Sequence, residues 1–374
     1  MSNFLLPSGF KDEISKQASI EHKYKNKIID LFQCNGYELV KPPLIEYASK
    51  KNINNVFKIK EKKEKKDFIL RNDITLQIAR IANSRFDIQS RPIKLCYYGE
   101  VVRKKGSILR PERQFLQVGA ECIGESSYLA DVEMLILAYQ SLIAIGIKNI
   151  SIDLSSSVFL NYILKRINEK DKLNIFKSFI KRKDYSNCIK FLDKSSHKYM
   201  KNLLLCTGTF SEKSKIMKDL VVDKKTENAK NEILSIYSKF RSKYSKVNFF
   251  LDLTENEYLN YHNGIKFTFY AKNVRGEIAR GGRYLSNNEN SKKESSTGFT
   301  CYMDTIVRAS SFHEKIKKIL IPFGMDDKKK NQLIKKGYKI ETFFGNADLI
   351  EKKAIEKKIE YFFNKNKINF IGKK

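Results

Sequence analysis

Long apolar runs are missing from this chain of 374 residues. No stretch approaches 18 uncharged apolar residues, which excludes a membrane-spanning helix. The opening MSNFLLPSGF lacks the long apolar segment of a secretory signal, so the expectation is a soluble, cytoplasmic protein with no membrane partner. Histidine is scarce, with four residues and no pair at i,i+4 spacing, and that leaves a zinc site without a ligand set. The six cysteines (Cys34, Cys96, Cys122, Cys188, Cys206, Cys301) are scattered with no CxxC. They read as reduced core residues rather than disulfides or metal ligands, and neither a metal nor a cofactor is expected. Acidic residues are outnumbered, 42 against 72 Lys and Arg, for a net charge of +30. Such an excess points first to nucleic acid. Here it is mostly lysine, spread along the chain among Ile and Asn rather than gathered in a patch. The densest runs, KIKEKKEKK at 58–66 and KINFIGKK at the C-terminus, equally describe solvated surface. An RNA-binding adaptor therefore rests on charge alone.

What is present is organised around Arg91–Gly124, RPIKLCYYGEVVRKKGSILRPERQFLQVGAECIG. Ile93 to Arg103 and Gln114 to Ile123 read as strands, joined by a basic loop that a Gly and a Pro turn. On the second strand, the period of two puts Phe115, Gln117, Gly119 and Glu121 on one face. Gln117 and Glu121 are then same-face neighbours roughly 13 Å apart, four residues at about 3.3 Å each. A strand face with Gln, Gly and Glu suits a small polar ligand lying on the sheet. By spacing alone, the plainer reading is a solvent-facing amphipathic strand.

Along the chain, a first helix carries Ile14, Tyr24, Ile28, Leu31 and Phe32 on one face and ends at Asn35-Gly36. GYELVKPPLIE (36–46) reads as one extended strand whose Pro pair disfavours a central position. Residues 50–67 form a charged hairpin or loop. FILRNDITLQIARIA gives a short strand and then a helix opened by Asp73 or its neighbour. A further helix spans about Ala130 to Ile145, followed by a strand at 149–154. Residues 155–246, without Pro and with apolar residues at helical spacing, read as an all-helical insertion. Strands resume at 247–253, 265–271 and 276–284, and a helix starts at Asp304. The tail, 316–374, reads as a small βαβ-like piece with three short strands and two helices.

These segments, taken in order, resemble the class II aminoacyl-tRNA synthetases. GYELVKPPLIE resembles motif 1, the dimer-interface strand, Arg91–Gly124 motif 2, and ARGGRY followed by TGFTCYMDTIVR the run into motif 3. LRNDIT, QVGAE and YHNG point to the histidyl branch. LLPSGFKD and KGSILRPERQF are similar to its paralogues, the ATP phosphoribosyltransferase regulatory subunits. The resemblance implies an α+β fold, with a synthetase-like antiparallel sheet flanked by helices over residues 1–312. The tail would correspond to a truncated anticodon-binding domain, about 58 residues where a synthetase has roughly 100, which argues against tRNA recognition. It further implies a self-dimer within a hetero-oligomer, formed with a short-form ATP phosphoribosyltransferase catalytic subunit and feedback-regulated by histidine.

Residue by residue, the resemblance implies an amino-acid pocket of Asp73, Thr75, Gln117, Glu121 and Tyr261, with Arg103 as the retained motif 2 arginine. Three further positions depart from a synthetase. Lys105 stands where a Glu would hold adenine, Glu257 where an activating arginine would stand, and Thr305 where an arginine would stack on ATP. Amino-acid activation needs cationic clamps on the migrating phosphate charge. The expectation is a non-catalytic regulatory subunit, with an active synthetase-like enzyme as the alternative. The pocket's polar groups equally describe a satisfied internal network without ligand.

Overall fold

The computed structural model describes residues 5–48, 54–60, 66–86, 88–167, 169–255, 262–286, 293–310 and 317–372. The chain forms two compact units, Met1–Ser311 and Phe312–Lys374.

The first unit opens with α1 (Ser15–Cys34), closed by Gly36 at a positive φ of 84°, and continues into β1 (Glu38–Val40). Strands β2 (Ile45–Tyr47), β3 (Phe57–Ile59) and β4 (Phe68–Leu70) form a separate small sheet in the order β2-β4-β3. The single strand expected over 36–46 is therefore two strands in two sheets. The Pro42-Pro43 pair breaks the ladder, and the buried Arg71 captures the bend, donating to the Pro42 carbonyl at 2.8 Å and to the Glu100 carbonyl at 2.8 Å. Ile14 also departs from expectation: it precedes α1 and is 70% exposed, while Tyr24, Ile28, Ile29 and Phe32 form the buried face.

Then come α2 (Thr75–Arg85), the hairpin β5 (Ile93–Val102) and β6 (Gln114–Ile123), α3 (Tyr128–Ala144) and β7 (Ile150–Ser156). The insertion holds α4 (Ser157–Leu164), α5 (Lys170–Lys181), α6 (Tyr185–Cys188) and α7 (Lys194–Leu205), then β8 (Thr207–Thr209), α8 (Phe210–Lys213) and α9 (Lys224–Lys243). It is not all helical, because β8 pairs antiparallel with β9 (Asn248–Asp252), and Ser155 and Ser156 still belong to β7. Strands β10 (His262–Ala271), β11 (Ala279–Ser286) and β12 (Glu294–Tyr302) and helix α10 (Met303–Ala309) complete the unit.

Nine strands make one sheet in the order β1-β5-β6-β12-β11-β10-β7-β9-β8, antiparallel except at the β1–β5 and β7–β9 pairs. The period of two divides its faces. One face carries Cys96, Val118, Ala120, Phe299, Phe267, Phe269 and Leu154, which pack with buried residues of α1, α3 and the insertion helices into one core. The other face carries Tyr97, Gln117, Glu121, Thr300, Arg280, Tyr284, Lys266 and Asp153, a polar series running across six strands. Helix α2 covers one end of that polar face, packing Ile74, Ile78 and Ala82 against Leu95, Tyr97, Val101 and Phe115.

In the second unit, β13 (Lys317–Pro322), α11 (Asp327–Lys335), β14 (Tyr338–Phe343), α12 (Ile350–Glu356), β15 (Tyr361–Asn364) and β16 (Lys367–Phe370) form a four-stranded sheet, β14-β13-β15-β16. Strand β13 is parallel to both neighbours, and β15 and β16 form a hairpin. A fourth strand, Tyr361–Asn364, thus joins the three read from the sequence. Leu320, Ile350 and Phe362 fill one side of the sheet, and Ile319, Ile321 and Leu333 the other.

Candidate functional site

The polar face of the large sheet is built by cross-strand register. Tyr97 pairs with Gly119 and Gly119 with Thr300, while Glu121 pairs with Gly298. At Gly119 and Gly298 the missing side chains let neighbouring ones lie flat on the sheet. A Cβ on Gly119 would come within 2.5 Å of the Tyr97 hydroxyl, and one on Gly298 within 1.8 Å of a Glu121 carboxyl oxygen. The space read as room for a ligand over Gly119 is thus occupied by the Tyr97 phenol.

Four of the expected pocket residues meet here. The Gln117 amide donates to Asp73 Oδ2 at 3.0 Å, and its oxygen accepts from the Ile74 backbone N–H at 3.2 Å. Asp73 Oδ1 accepts from the Thr75 N–H at 3.0 Å, which opens α2 as the sequence implied. The Thr75 hydroxyl lies 3.3 Å from the Tyr97 hydroxyl, and Tyr97 donates to Glu121 Oε1 at 3.4 Å. Tyr284 donates to Glu121 Oε2 at 2.9 Å, and the Thr300 hydroxyl lies 2.7 Å from Tyr97 Oη. Gln117 and Glu121 are 0% and 1% exposed, which decides against the solvent-facing strand. Burial pushes the Glu121 carboxyl up to about 8, so near pH 7 it is mostly neutral. The same burial, with Glu121 and Asp73 nearby, raises Tyr97 well above the usual phenol range. The result is a chain of hydrogen bonds from α2 across four strands, β5, β6, β12 and β11, in which every member named has a partner.

The other two expected residues are not among these four. Arg103 lies at the far end of β5 with its guanidinium 4.8 Å above the Phe115 ring, and Tyr261 lies outside the described residues. Sequence reasoning overlooked Tyr97, Tyr284 and Thr300. The register of the β5–β6 hairpin was the available signal for Tyr97, since it sets that phenol opposite Gly119.

The end of the face toward α10 is filled by the loop between β5 and β6. Arg110, 2% exposed, stacks 3.7 Å over the Tyr302 ring and 5.2 Å from Phe115. It donates to the Glu277 carbonyl at 2.8 Å and to the Thr305 hydroxyl at 3.4 Å, and it pairs with Asp304 at 3.5 Å and Glu277 at 3.4 Å. Arg308 pairs with Glu112 and, at 3.6 Å, with Asp304. Two cations therefore face three carboxylates. Burial raises Asp304 above the usual range against the pull of Arg110. A guanidinium reaches the Thr305 position, but it is buried, stacked on Tyr302 and paired with Asp304 and Glu277, so it is not presented to a phosphate. Lys105 is exposed on the loop, and Glu257 lies outside the described residues.

At the other end, Lys266 is 3% exposed and donates to the Glu255 carbonyl at 2.9 Å, with Arg280 and the Glu255 carboxylate 3.8 Å apart. Among the described residues no cluster of three His, Cys, Asp or Glu could hold a metal ion, and no helix is long and apolar enough to cross a membrane.

Comparison with known proteins places this geometry. The family model for histidyl-tRNA synthetase matches residues 9–306. An ATP phosphoribosyltransferase regulatory subunit of Rhodospirillum centenum is 30% identical over 328 residues, covering 86% of this chain and 84% of that one. One of Clostridium botulinum is 26% identical over 99% of this chain and 91% of its own. Among solved structures, an ATP phosphoribosyltransferase regulatory subunit/histidyl-tRNA synthetase of Bacillus halodurans superposes with a TM-score of 0.79 at 21% identity, over 95% of this chain and 97% of that one. A histidyl-tRNA synthetase of Nostoc sp. superposes with a TM-score of 0.77 at 18% identity, over 97% and 91%. At such identities the superpositions show a shared fold, and it is the class II synthetase fold read from the motifs. The chain belongs to the histidyl-tRNA synthetase-like family of ATP phosphoribosyltransferase regulatory subunits.

Proposed function

We propose that this chain is a non-catalytic subunit that assembles with a short-form ATP phosphoribosyltransferase catalytic subunit, permits its activity in the first step of histidine synthesis, and transmits feedback inhibition by histidine. The observation that carries the reading is the contrast between the two ends of the polar face. The amino-acid end keeps an ordered set of groups, Asp73, Thr75, Gln117 and Glu121, with Tyr97 and Tyr284. The nucleotide end has Thr305 in place of a clamp, and Arg110 stacked into the space with a surplus of carboxylates around it. Adenylation draws much of its rate from several cations aimed at the transferring phosphate, and of the expected set only Arg103 is retained, with Lys105, Glu257 and Thr305 at the other three positions. Histidine would take the amino-acid end by displacing internal hydrogen bonds. Occupancy would then be linked to the arrangement of the complex by a coupling of about 1–3 kcal/mol.

Two assays test the proposal. Mixing the chain with a short catalytic subunit should give a complex with ATP phosphoribosyltransferase activity that neither chain has alone, and added histidine should inhibit it. Histidine-dependent ATP–pyrophosphate exchange by the isolated chain should stay at background. Exchange above background would restore the enzyme reading, and failure to assemble and activate would remove the regulatory one.

A further inference from the structure

We propose that the tip of the loop between β5 and β6, Ile108 and Leu109, is the knob by which this chain docks on its catalytic partner. The partner surface it fits is an apolar patch edged with carboxylates. The inference rests on the regulatory reading above and names the surface that reading requires.

The loop's own chemistry has been turned inward. Arg110 is buried against Tyr302, Glu277 and Asp304. The Arg113 guanidinium lies 4.8 Å from the Phe10 ring and 5.1 Å from the Phe57 ring, and donates to the Ser8 carbonyl at 2.9 Å. Asn55 holds the base of the loop: its side chain bonds the Lys105 N–H at 2.7 Å and the Lys105 carbonyl at 3.0 Å, and its carbonyl accepts from the Lys104 N–H. Ser107 and Arg110 close the tip on each other, with the Ser107 N–H 2.7 Å from the Arg110 carbonyl. A loop with these anchors at base, middle and tip cannot fold its apolar residues away from water. Ile108 is nonetheless 88% exposed and Leu109 53%.

Large aliphatics presented on a fixed loop make a preorganised contact, because the cost of ordering them is met before a partner arrives. Beside the tip lies a groove of about 260 Å³ lined by Leu109, Pro111, Val274, Arg275 and Arg308 among others. Arg275 is exposed and makes no ion pair among the described residues, and Lys104 and Lys105 flank the tip, also exposed. An apolar centre with a cationic rim selects a partner whose matching patch is apolar and acid-edged, and steers its approach.

The test is the full-length chain carrying Ile108→Asp and Leu109→Asp, titrated with the short catalytic subunit in parallel with the unaltered chain. The expected result is a dissociation constant raised roughly 10- to 100-fold, the effect of losing a central apolar contact. The melting temperature and self-association of the chain alone should not change. Ile108→Ser, which adds no charge, should move affinity in the same direction by less. Unchanged affinity in the double variant overturns the inference and leaves the regulatory reading intact. Altered self-association also overturns it, since the tip would then be a contact between copies of this chain. If the unaltered chain itself does not bind the catalytic subunit, both the reading and the inference fall.

Discussion

Glu121 is a carboxyl at 1% exposure whose two oxygens accept from two phenols, Tyr97 and Tyr284, and its pKa stands at about 8 against an ordinary 4.5. Because the folded value lies above the unfolded one, the folded state holds an extra proton between those pH values. That contribution to stability is complete below about pH 4.5 and is lost as pH rises through about 8. Glu121→Gln, which cannot titrate, should therefore melt with a flatter pH dependence between pH 5 and 8 than the unaltered chain, by about the proton linkage of this one group. Equal slopes would mean that Glu121 is ionised in the fold. The same carboxyl is the proposed partner of a bound imidazole. Glu121→Ala leaves both phenols short of an acceptor, and a lost hydrogen bond of this kind costs roughly 1–3 kcal/mol. Histidine inhibition of the assembled complex should accordingly need about 10- to 100-fold more histidine, with assembly unaffected. An unchanged inhibition curve would place the regulatory site elsewhere.

At the scale of elements, the polar face depends on strands that carry glycine where neighbours must lie flat. Gly298→Ala puts a Cβ against Glu121 and within 2.7 Å of the Ala120 carbonyl, which is backbone and cannot swing aside. Thermal denaturation should show a loss of about 1–3 kcal/mol, and no loss would mean that the β6–β12 spacing is looser than described. These strands were also the most legible part of the sequence. The β5–β6 hairpin falls within a residue of its expected bounds, because both arms are rich in β-branched, aromatic and Cys residues and a Gly- and Pro-containing loop separates them. Short elements were not legible: β8, three residues reading TGT inside a helical stretch, has no periodicity to detect, and β1 and β2 fused into one expected strand until Arg71 and the Pro pair divided them. In the site, the shared face of Gln117 and Glu121 was legible from alternation along one strand, but their burial was not, since spacing alone favoured a solvent-facing strand. Tyr97 and Tyr284 were not, because contacts between strands depend on register. Strand β1 ends the large sheet, and its Leu39 and the following Leu44, Ile45 and Tyr47 are 41–51% exposed. We propose that they meet a second copy across a two-fold axis. Sedimentation should give a dimer for the unaltered chain and a shift toward monomer for Leu44→Asp with Ile45→Asp; an unshifted dimer would put the interface elsewhere.

At the scale of the whole molecule, the two units differ in what they carry. The buried clusters of the first unit, from Tyr24 to Ile306, contain only its own residues, and those of the second, built on Ile319, Leu320, Leu333, Ile350 and Phe362, only its own. Every group proposed to meet ligand, a second copy or partner lies in the first unit. The net charge of +30 is carried by both units. A chain ending at Ser311 keeps its entire core, so it should melt at the temperature of the full-length protein's main transition. The second unit, 63 residues by itself, buries too little apolar surface for more than marginal stability, roughly 3–5 kcal/mol at best. The truncated chain should bind and activate the short catalytic subunit within about threefold of the full-length affinity, a difference of less than 1 kcal/mol. Loss of activation with folding intact would show that the second unit supplies part of the partner surface, and the loop between β5 and β6 would then be one contact of at least two.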